Sequence, residues 1–270
     1  MSESTTSTDK VRIRALMFGC GNMGQALISG WMKADGASFT VVDPAEPDVG
    51  HGVDVVTSAD SVQGPFDLVV IAVKPQLIPT VVEQAGHLIE QADLILSIAA
   101  GTSIKTLENH LGHRPIVRMM PNMPASVRMG LSGLYANDKC MLQHKSMIEK
   151  LATENGEFLW LDEEDKIDKF TAVAGSGPGY VFEILRVFTL SAMKQGFSEE
   201  DARKLAIGTV LGSAKMADDS DKTLEDLRNS VTSKNGTTQA GLEQLMADGK
   251  LEDLLTRTVQ AAYDRAVELR

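Results

Sequence analysis

The chain has 270 residues, enough for one large domain or two moderate ones, each with its own core. Its formal net charge at pH 7 is −11, and 43% of its residues are hydrophobic. Nucleic acids and anionic membrane surfaces both attract clustered Lys and Arg, so this acidic balance argues against either partner. A small anionic ligand is still compatible with it, because backbone N–H groups can hold an anion whatever the net charge.

Cysteine and histidine usage indicates neither a metal site nor a disulfide framework. Cys20 and Cys140 are the only two cysteines, and the five histidines show no metal-ligand spacing. The N-terminal stretch MSESTTSTDK lacks the apolar segment of a secretory signal, and no run approaches the roughly 20 apolar residues of a membrane span. We therefore expect a cytoplasmic protein without a metal.

Strands and helices are predicted to alternate through the first half of the chain. Apolar runs predict strands over 11–18, 39–42, 68–73, 94–99 and 116–120, and helical spacing predicts helices over 22–33, 77–91 and 103–110. This alternation is typical of a doubly wound parallel sheet. The stretch DPAEPDVGHG before residue 53 has two prolines and two glycines, which predicts a loop rather than a crossover helix.

Beyond residue 163 the pattern becomes almost entirely helical. Amphipathic or buried helices are predicted over 182–195, 199–216, 224–231, 238–246 and 251–269. We therefore predict two domains, an α/β domain over 11–162 and an all-helical domain over 163–270. An acidic helical domain with this much apolar surface favours oligomerisation, and a monomeric bundle is the alternative.

The segment RALMFGCGNMGQAL places Gly19, Gly21 and Gly24 in a G-x-G-x-x-G pattern between a predicted strand and a predicted helix. In a Rossmann-type domain these glycines allow a tight turn, close approach to a pyrophosphate, and close packing of helix on strand. The free N–H groups of the helix N-terminus then bind the phosphates. We interpret this turn as a dinucleotide site.

Asp43 ends the second predicted strand, where a carboxylate can accept hydrogen bonds from an adenosine ribose. It would repel a 2′-phosphate, and no basic pair follows in PAEPD, which slightly favours NADH over NADPH. The alternative is that Pro44 carries Asp43 away from the site.

Two further strand ends carry candidate contacts at the edge where ligands of open α/β sheets bind. In LVVIAVKPQLIP, Lys74 and Pro75 follow a buried strand, and Lys74 is a candidate cofactor or substrate contact or a solvated lysine. In MMPNMPASV, Pro121 and Pro124 stiffen a turn that would present the Asn122 amide to a nicotinamide, unless these prolines only shape the loop.

The helical part contains two polar breaks. Ser176, in AGSGPGYVF, is a candidate substrate contact or a helix N-cap. The second break, RNSVTSKNGTTQAG, concentrates hydroxyl and N–H groups before a helix, which is typical of a carboxylate-binding nest. Its candidate residues are Ser233, Asn235, Gly236, Thr237 and Thr238.

Taken together, these motifs resemble the pyrroline-5-carboxylate reductases, which catalyse the last step of proline synthesis. The matching stretches follow the family's order from residue 18 to about 246: FGCGNMG, AVKPQ, SIAAGTSI, RMMPNMPA, AGSGPGYVFEI, GSAKM and VTSKNGTTQAGL. The resemblance implies a Rossmann domain, a helical domain that forms a homodimer or larger homo-oligomer, NAD(P)H as hydride donor, and a cyclic imine carboxylate as substrate.

The resemblance also implies roles for individual residues. Gly19, Gly21, Asn22, Met23 and Gly24 match the pyrophosphate turn, Ala72, Val73, Lys74 and Pro75 match a segment beside the cofactor, and Asn122 matches the nicotinamide side. Ser233, Gly236, Thr237 and Thr238 match the loop that holds the substrate carboxylate and ring nitrogen. We expect the Thr238 hydroxyl to contact the ring nitrogen and Asp221 to stabilise the iminium through water, or else to be a surface residue.

The chain departs from the family at three positions. The substrate loop usually reads S-P-G-G-T-T, and here Lys234 and Asn235 replace the proline and a glycine. Because Asn tolerates positive φ, we expect the turn to survive. Gly179 stands where the family commonly has alanine.

Three other functions fit part of the pattern. A β-hydroxyacid dehydrogenase would need a catalytic lysine on a long helix, with Lys194 and Lys215 as candidates. A reductase of another cyclic imine would keep most of the motifs. A protein that binds NAD(P) without turnover would keep FGCGNMG and would not need the polar loop at 233–238.

Overall fold

A computed structural model describes residues 13–270 of the chain. These residues form two compact units. The first runs to Gly175 and includes Tyr263–Arg270, and the second covers Ser176–Ala262. The predicted domain boundary, between residues 162 and 163, lies before this division of the chain into compact units. That boundary stays a prediction.

The first unit contains one eight-stranded sheet. Its strands are β1 (Ile13–Phe18), β2 (Ala37–Val42), β3 (Val53–Val56), β4 (Leu68–Ile71), β5 (Leu94–Ser97), β6 (Ile116–Met120), β7 (Gly130–Ala136) and β8 (Gly156–Trp160). They lie in the order β3-β2-β1-β4-β5-β6-β7-β8. All neighbours are parallel except β6 and β7, which are antiparallel.

Five helices of the first unit are α1 (Asn22–Trp31), α2 (Ile78–Glu90), α3 (Ile104–Leu111), α4 (Leu142–Thr153) and α5 (Lys166–Phe170). A π-helical turn, Thr171–Gly175, follows α5. The central strands are buried along their whole length, as in β4, because each of their faces packs on an apolar cluster. Met17 and Val70 lie in one cluster, and Leu16 and Val69 lie in the other.

The structure confirms the alternating strands and helices that the sequence predicts. The predicted first strand begins at residue 11, outside the described residues, and β1 ends at Phe18 as expected. The stretch before β3 contains no helix, in agreement with its proline and glycine content. The pattern failed to predict β3, α4, β7 and β8, because β3 and β8 are short and partly exposed and β7 contains two glycines.

The second unit is helical. It contains α6 (Gly177–Lys194), α7 (Glu199–Asp218), α8 (Leu224–Ser230), α9 (Thr237–Leu245) and most of α10 (Lys250–Glu268). Large apolar side chains are exposed on it, among them Phe182 at 66% and Leu211 at 58%. Over residues 13–270, no helix is both long enough and apolar enough to cross a membrane.

Candidate functional site

The glycine turn joins β1 to α1. Gly19 has φ +79°, and a Cβ built on it would lie 2.7 Å from Val73 Cγ1 and 3.0 Å from the Ala72 carbonyl oxygen. Any side chain here would be strained by its backbone conformation and would collide with the segment that follows β4. Gly19 therefore keeps the turn against the neighbouring strand, as the motif predicts.

Gly21 borders open space. A Cβ built on it would meet no atom within 4 Å. Gly21 is also the N-cap residue of α1, without a side-chain hydrogen bond to the helix. The first N–H groups of α1 thus have no side-chain cap, and the backbone beside them is open. These N–H groups are therefore available to bind a phosphate group.

Gly24 differs from the prediction. We expected it to be needed for close packing of helix on strand. A Cβ built on Gly24 would lie 3.4 Å from Cys20 Sγ and 3.6 Å from the Gly19 carbonyl oxygen, which are ordinary contact distances. The position that does require a small residue is Gly30, where a Cβ would overlap the amide of Asn155.

Asp43 lies beside the glycine turn. Its Oδ2 accepts a hydrogen bond of 2.7 Å from the Cys20 N–H, and its Oδ1 accepts one of 2.9 Å from the Ala45 N–H. The loop after β2 therefore holds the carboxylate next to Gly19 and Gly21, so Pro44 does not carry it away. The ribose role stays a prediction.

A cavity of about 760 Å³ opens at the carboxyl ends of β1, β2, β3 and β4. The predicted site residues that line it are Gly19, Gly21, Asp43, Ala72, Val73 and Lys74. Asn22, Met23, Gly24 and Pro75 are not among its lining residues. This is the edge of a doubly wound sheet at which ligands bind, and the volume is within the range of small-molecule pockets.

The sequence patterns did not indicate several of the residues that line the cavity. Thr57, Ser58, Ala59 and Asp60 follow β3, and Leu77, Thr80, Val81 and Gln84 belong to the segment that starts α2. The first group escaped because β3 itself was not predicted. The alternation in VDVV followed by the Thr57-Ser58 pair was the available signal, because Ser58 accepts a hydrogen bond from the Asp60 N–H and caps a short 3-10 helix.

Asn122 lies in the turn after β6, and both ends of its amide bond the protein. Nδ2 donates to the Ala174 carbonyl at 3.0 Å, and Oδ1 accepts from the Leu131 N–H at 2.9 Å. The sequence predicted an amide presented to a nicotinamide. The structure shows that the amide ties the π-helical turn and β7 to this loop, and its role beside the nicotinamide stays a prediction.

The polar loop at 233–238 lies in the helical unit, directly before α9. Asn235 has φ +60°, which confirms that this residue takes the left-handed conformation the turn needs. A Cβ built on Gly236 would overlap Ser233 Oγ, so a side chain at this position would displace the Ser233 hydroxyl. Gly236 is the N-cap residue of α9 and provides no side-chain cap, and the exposed Ser233, Thr237 and Thr238 surround the helix start.

The other two candidates of the helical unit are placed as follows. Ser176 is the N-cap residue of α6, and its hydroxyl makes no capping hydrogen bond to the helix; its role as a substrate contact stays a prediction. Asp221 is exposed in the loop between α7 and α8. Over the described residues, no group of three or more His, Cys, Asp or Glu side chains is arranged to hold a metal ion.

Burial, and to a smaller extent the nearby Asp43 carboxylate, raises the pKa of the Cys20 thiol from 9.0 to about 11. Because the folded pKa exceeds the unfolded one, this stabilising contribution is complete below pH 9 and is lost as the pH rises towards 11. Between pH 8 and pH 10, we expect the free energy of unfolding to fall by about 1 to 1.5 kcal/mol more in the wild type than in Cys20→Ala. Denaturant titrations at the two pH values measure this difference, and equal slopes would contradict the assignment.

Comparison with known proteins agrees with this architecture. A family model described as pyrroline-5-carboxylate reductase dimerisation matches residues 164–269, and one described as NADP oxidoreductase, coenzyme F420-dependent, matches residues 15–101. A pyrroline-5-carboxylate reductase from Pseudomonas aeruginosa is 38% identical over 265 residues, which cover 95% of this chain and 96% of the relative. The chain belongs to the pyrroline-5-carboxylate reductase family.

Solved structures of the family have the same fold. A pyrroline-5-carboxylate reductase from Coxiella burnetii superposes with a TM-score of 0.87 at 32% identity, over 95% of this chain and 98% of its own. A pyrroline carboxylate reductase from Plasmodium falciparum with NADP bound gives a TM-score of 0.84 at 26% identity, with the same coverage of both chains. The Rossmann-type sheet and the helical dimerisation domain that the sequence predicts are thus both confirmed.

Proposed function

We propose that this chain reduces 1-pyrroline-5-carboxylate to proline with NAD(P)H. The observation that carries the proposal is the accessible, uncapped start of α1 at Gly21, beside a cavity at the carboxyl edge of the sheet, in a chain of this family. The test is the loss of nicotinamide absorbance on addition of pyrroline-5-carboxylate, with proline identified as product. Turnover of a hydroxyacid without turnover of the imine, or cofactor binding without any turnover, would overturn it.

The cofactor side of the site follows from the glycine turn. The N–H groups of Asn22 and Met23, at the start of α1, bind the pyrophosphate, and the ammonium of Lys74 in the cavity wall attracts it. Ala72 and Val73 present backbone beside the cofactor, and Pro75 fixes the chain direction after them. Asn122 shapes the nicotinamide side through the loop that its amide holds.

The substrate side is assigned to the polar loop before α9. Ser233, Gly236 and Thr237 bind the carboxylate, because an uncapped helix start with nearby hydroxyls attracts an anion. Thr238 contacts the ring nitrogen, Ser176 is a further substrate contact, and Asp221 stabilises the iminium through water. The hydride that reduces the imine carbon would come from the bound nicotinamide, and the protonated imine nitrogen would become the amine of proline. Because a protonated imine is already electrophilic, these residues mainly orient the substrate.

The function of a β-hydroxyacid dehydrogenase is less well supported than that of an imine reductase, because it requires a catalytic lysine on a long helix. Lys215 forms ion pairs with Asp219 at 2.6 Å and Asp218 at 3.2 Å, and hydrogen bonds to these carboxylates, Asp219 first, raise its pKa. A raised pKa favours the ammonium form and disfavours a general base near neutral pH. Lys194 is in the last turn of α6.

The helical unit is proposed to form a homodimer. Within the chain, α6 exposes Val181, Phe182, Ile184, Val187, Phe188 and Leu190, each by 43% or more. Cβ atoms built on Gly208 and Gly212 of α7 would meet no atom within 4 Å. Such an apolar surface is large for a monomer and suits an interface with a second copy.

We expect Phe182→Asp to shift the protein from dimer to monomer and to lower kcat/KM at least about tenfold, because it places a charge in an apolar interface. Light scattering coupled to size exclusion measures the mass. Leu142→Asp is the matched control, since Leu142 is 81% exposed but lies on α4 of the first unit. A dimeric Phe182→Asp protein would contradict the interface.

The proposed compartment is the cytoplasm. Cys20 and Cys140 are both free thiols, which is compatible with a reducing environment.

A further inference from the structure

The segment that leads from β2 to the short 3-10 helix Ala59–Ser61 is strongly acidic. Residues 43–60 contain no Lys or Arg. Their five acidic residues are Asp43, Glu46, Asp48, Asp54 and Asp60. This segment borders the cavity at the ends of β2 and β3, where the adenosine part of a dinucleotide lies in a doubly wound fold.

Two of these carboxylates, Asp43 and Asp60, line the cavity itself. Asp60 is kept in place by Ser58, whose hydroxyl donates to Asp60 Oδ2 at 2.9 Å. Of the residues that line the cavity, Lys74 alone carries a positive charge, and it belongs to the segment after β4 rather than to the acidic segment. The β2–β3 end of the cavity is therefore negative.

Asp43 has acceptor capacity left for a ligand. A carboxylate offers about four lone-pair sites. The Cys20 N–H uses one on Oδ2 and the Ala45 N–H uses one on Oδ1, so each oxygen keeps a further site. The vicinal 2′- and 3′-hydroxyls of an adenosine ribose supply two donors. The hydrogen bonds from the Cys20 and Ala45 N–H groups also fix the orientation of the Asp43 carboxylate. This reduces the entropy lost when the carboxylate binds both ribose hydroxyls.

We propose that Asp43, with Asp60, makes this site selective for NADH over NADPH. The inference rests on the proposed function, since it assigns the cofactor of the same site. A 2′-phosphate replaces a hydrogen-bond donor by a dianion, which has no donor for Asp43 and is repelled by its charge. NADPH can still bind through the pyrophosphate turn, but more weakly.

Two nucleotides that differ only in the 2′-phosphate test the proposal without any chemistry. Calorimetric titration of the full chain with 5′-AMP and with 2′,5′-ADP compares the two directly, and NADH and NADPH are compared in the same way. We expect the 2′-phosphorylated member of each pair to bind at least about tenfold more weakly. The ratio should fall as salt rises, because salt screens the repulsion.

Asp43→Asn should reduce the NADPH-to-NADH ratio of Kd values at least about fivefold, since it removes the charge and one acceptor oxygen. Asp48→Asn is the matched control, because it removes the same charge from an exposed residue outside the cavity wall and should leave the ratio unchanged. If Asp43→Asn disturbs the turn and fails to fold, the nucleotide pairs and their salt dependence in the wild type decide the question.

The outcomes separate this inference from the proposed function. Equal binding of each pair, or tighter binding of the 2′-phosphorylated member, would overturn the selectivity while leaving the reductase intact. Failure to bind any of the four nucleotides would overturn the cofactor site and, with it, both proposals.

Discussion

Replacing Thr238 by alanine is expected to lower kcat about 100-fold with pyrroline-5-carboxylate while the Kd of NADH changes less than about twofold. The physical reason is that the hydroxyl is assigned to the substrate nitrogen, and loss of one positioned polar contact costs about 2.7 kcal/mol of barrier in comparable sites. Steady-state kinetics and a separate cofactor titration measure the two effects. Thr238 lies in the first turn of α9, so the substitution leaves the Rossmann sheet unchanged.

Two variants define what the Thr238 result means. Thr238→Ser retains the hydroxyl and should recover most of the rate. Thr258→Ala is the matched control, because the Thr258 hydroxyl donates to the Leu254 carbonyl within α10 and should matter little to kcat. Loss of cofactor affinity in Thr238→Ala, or no rescue by serine, would refute the assignment to the substrate.

Replacing Gly21 by alanine is expected to weaken NADH binding at least about tenfold, or about 1.4 kcal/mol, with little change in protein stability. An added Cβ would meet no protein atom within 4 Å, and φ −67° at Gly21 suits any residue. The methyl group would therefore occupy only the open space in which the pyrophosphate approaches the backbone. Cofactor titration and thermal unfolding of the same variant measure both quantities.

The other two glycines of the motif provide contrasting controls. Gly24→Ala should change cofactor affinity less than about threefold, because its Cβ would lie at ordinary contact distance and alanine favours helix. Gly19→Ala should lower the free energy of unfolding by about 1–3 kcal/mol, since it strains φ +79° and crowds Val73. An affinity loss in Gly24→Ala as large as in Gly21→Ala would contradict the assignment of the open face.

Local patterns predicted most of the secondary structure because the signals are short-range. The buried runs at β4 and β5 and the glycine turn before α1 can each be recognised within about ten residues. The helices of the second unit follow from the same periodicity. In contrast, β3 and β8 have weak local patterns, and their pairing with β2 and β7 over longer separations stabilises them as strands.

The sequence by itself determined the Rossmann-type turn, the helical second half and the family resemblance, because each depends on residue type at fixed spacing. The tertiary structure decided what the side chains do. In the folded chain, the Asn122 amide bonds Ala174 and Leu131. The small residue that helix α1 requires is Gly30 rather than Gly24. Asp43 accepts a hydrogen bond from Cys20, and Asp43 and Asp60 line one cavity. Apart from the bond to Leu131, these contacts join residues far apart in the chain, and only tertiary packing brings them together.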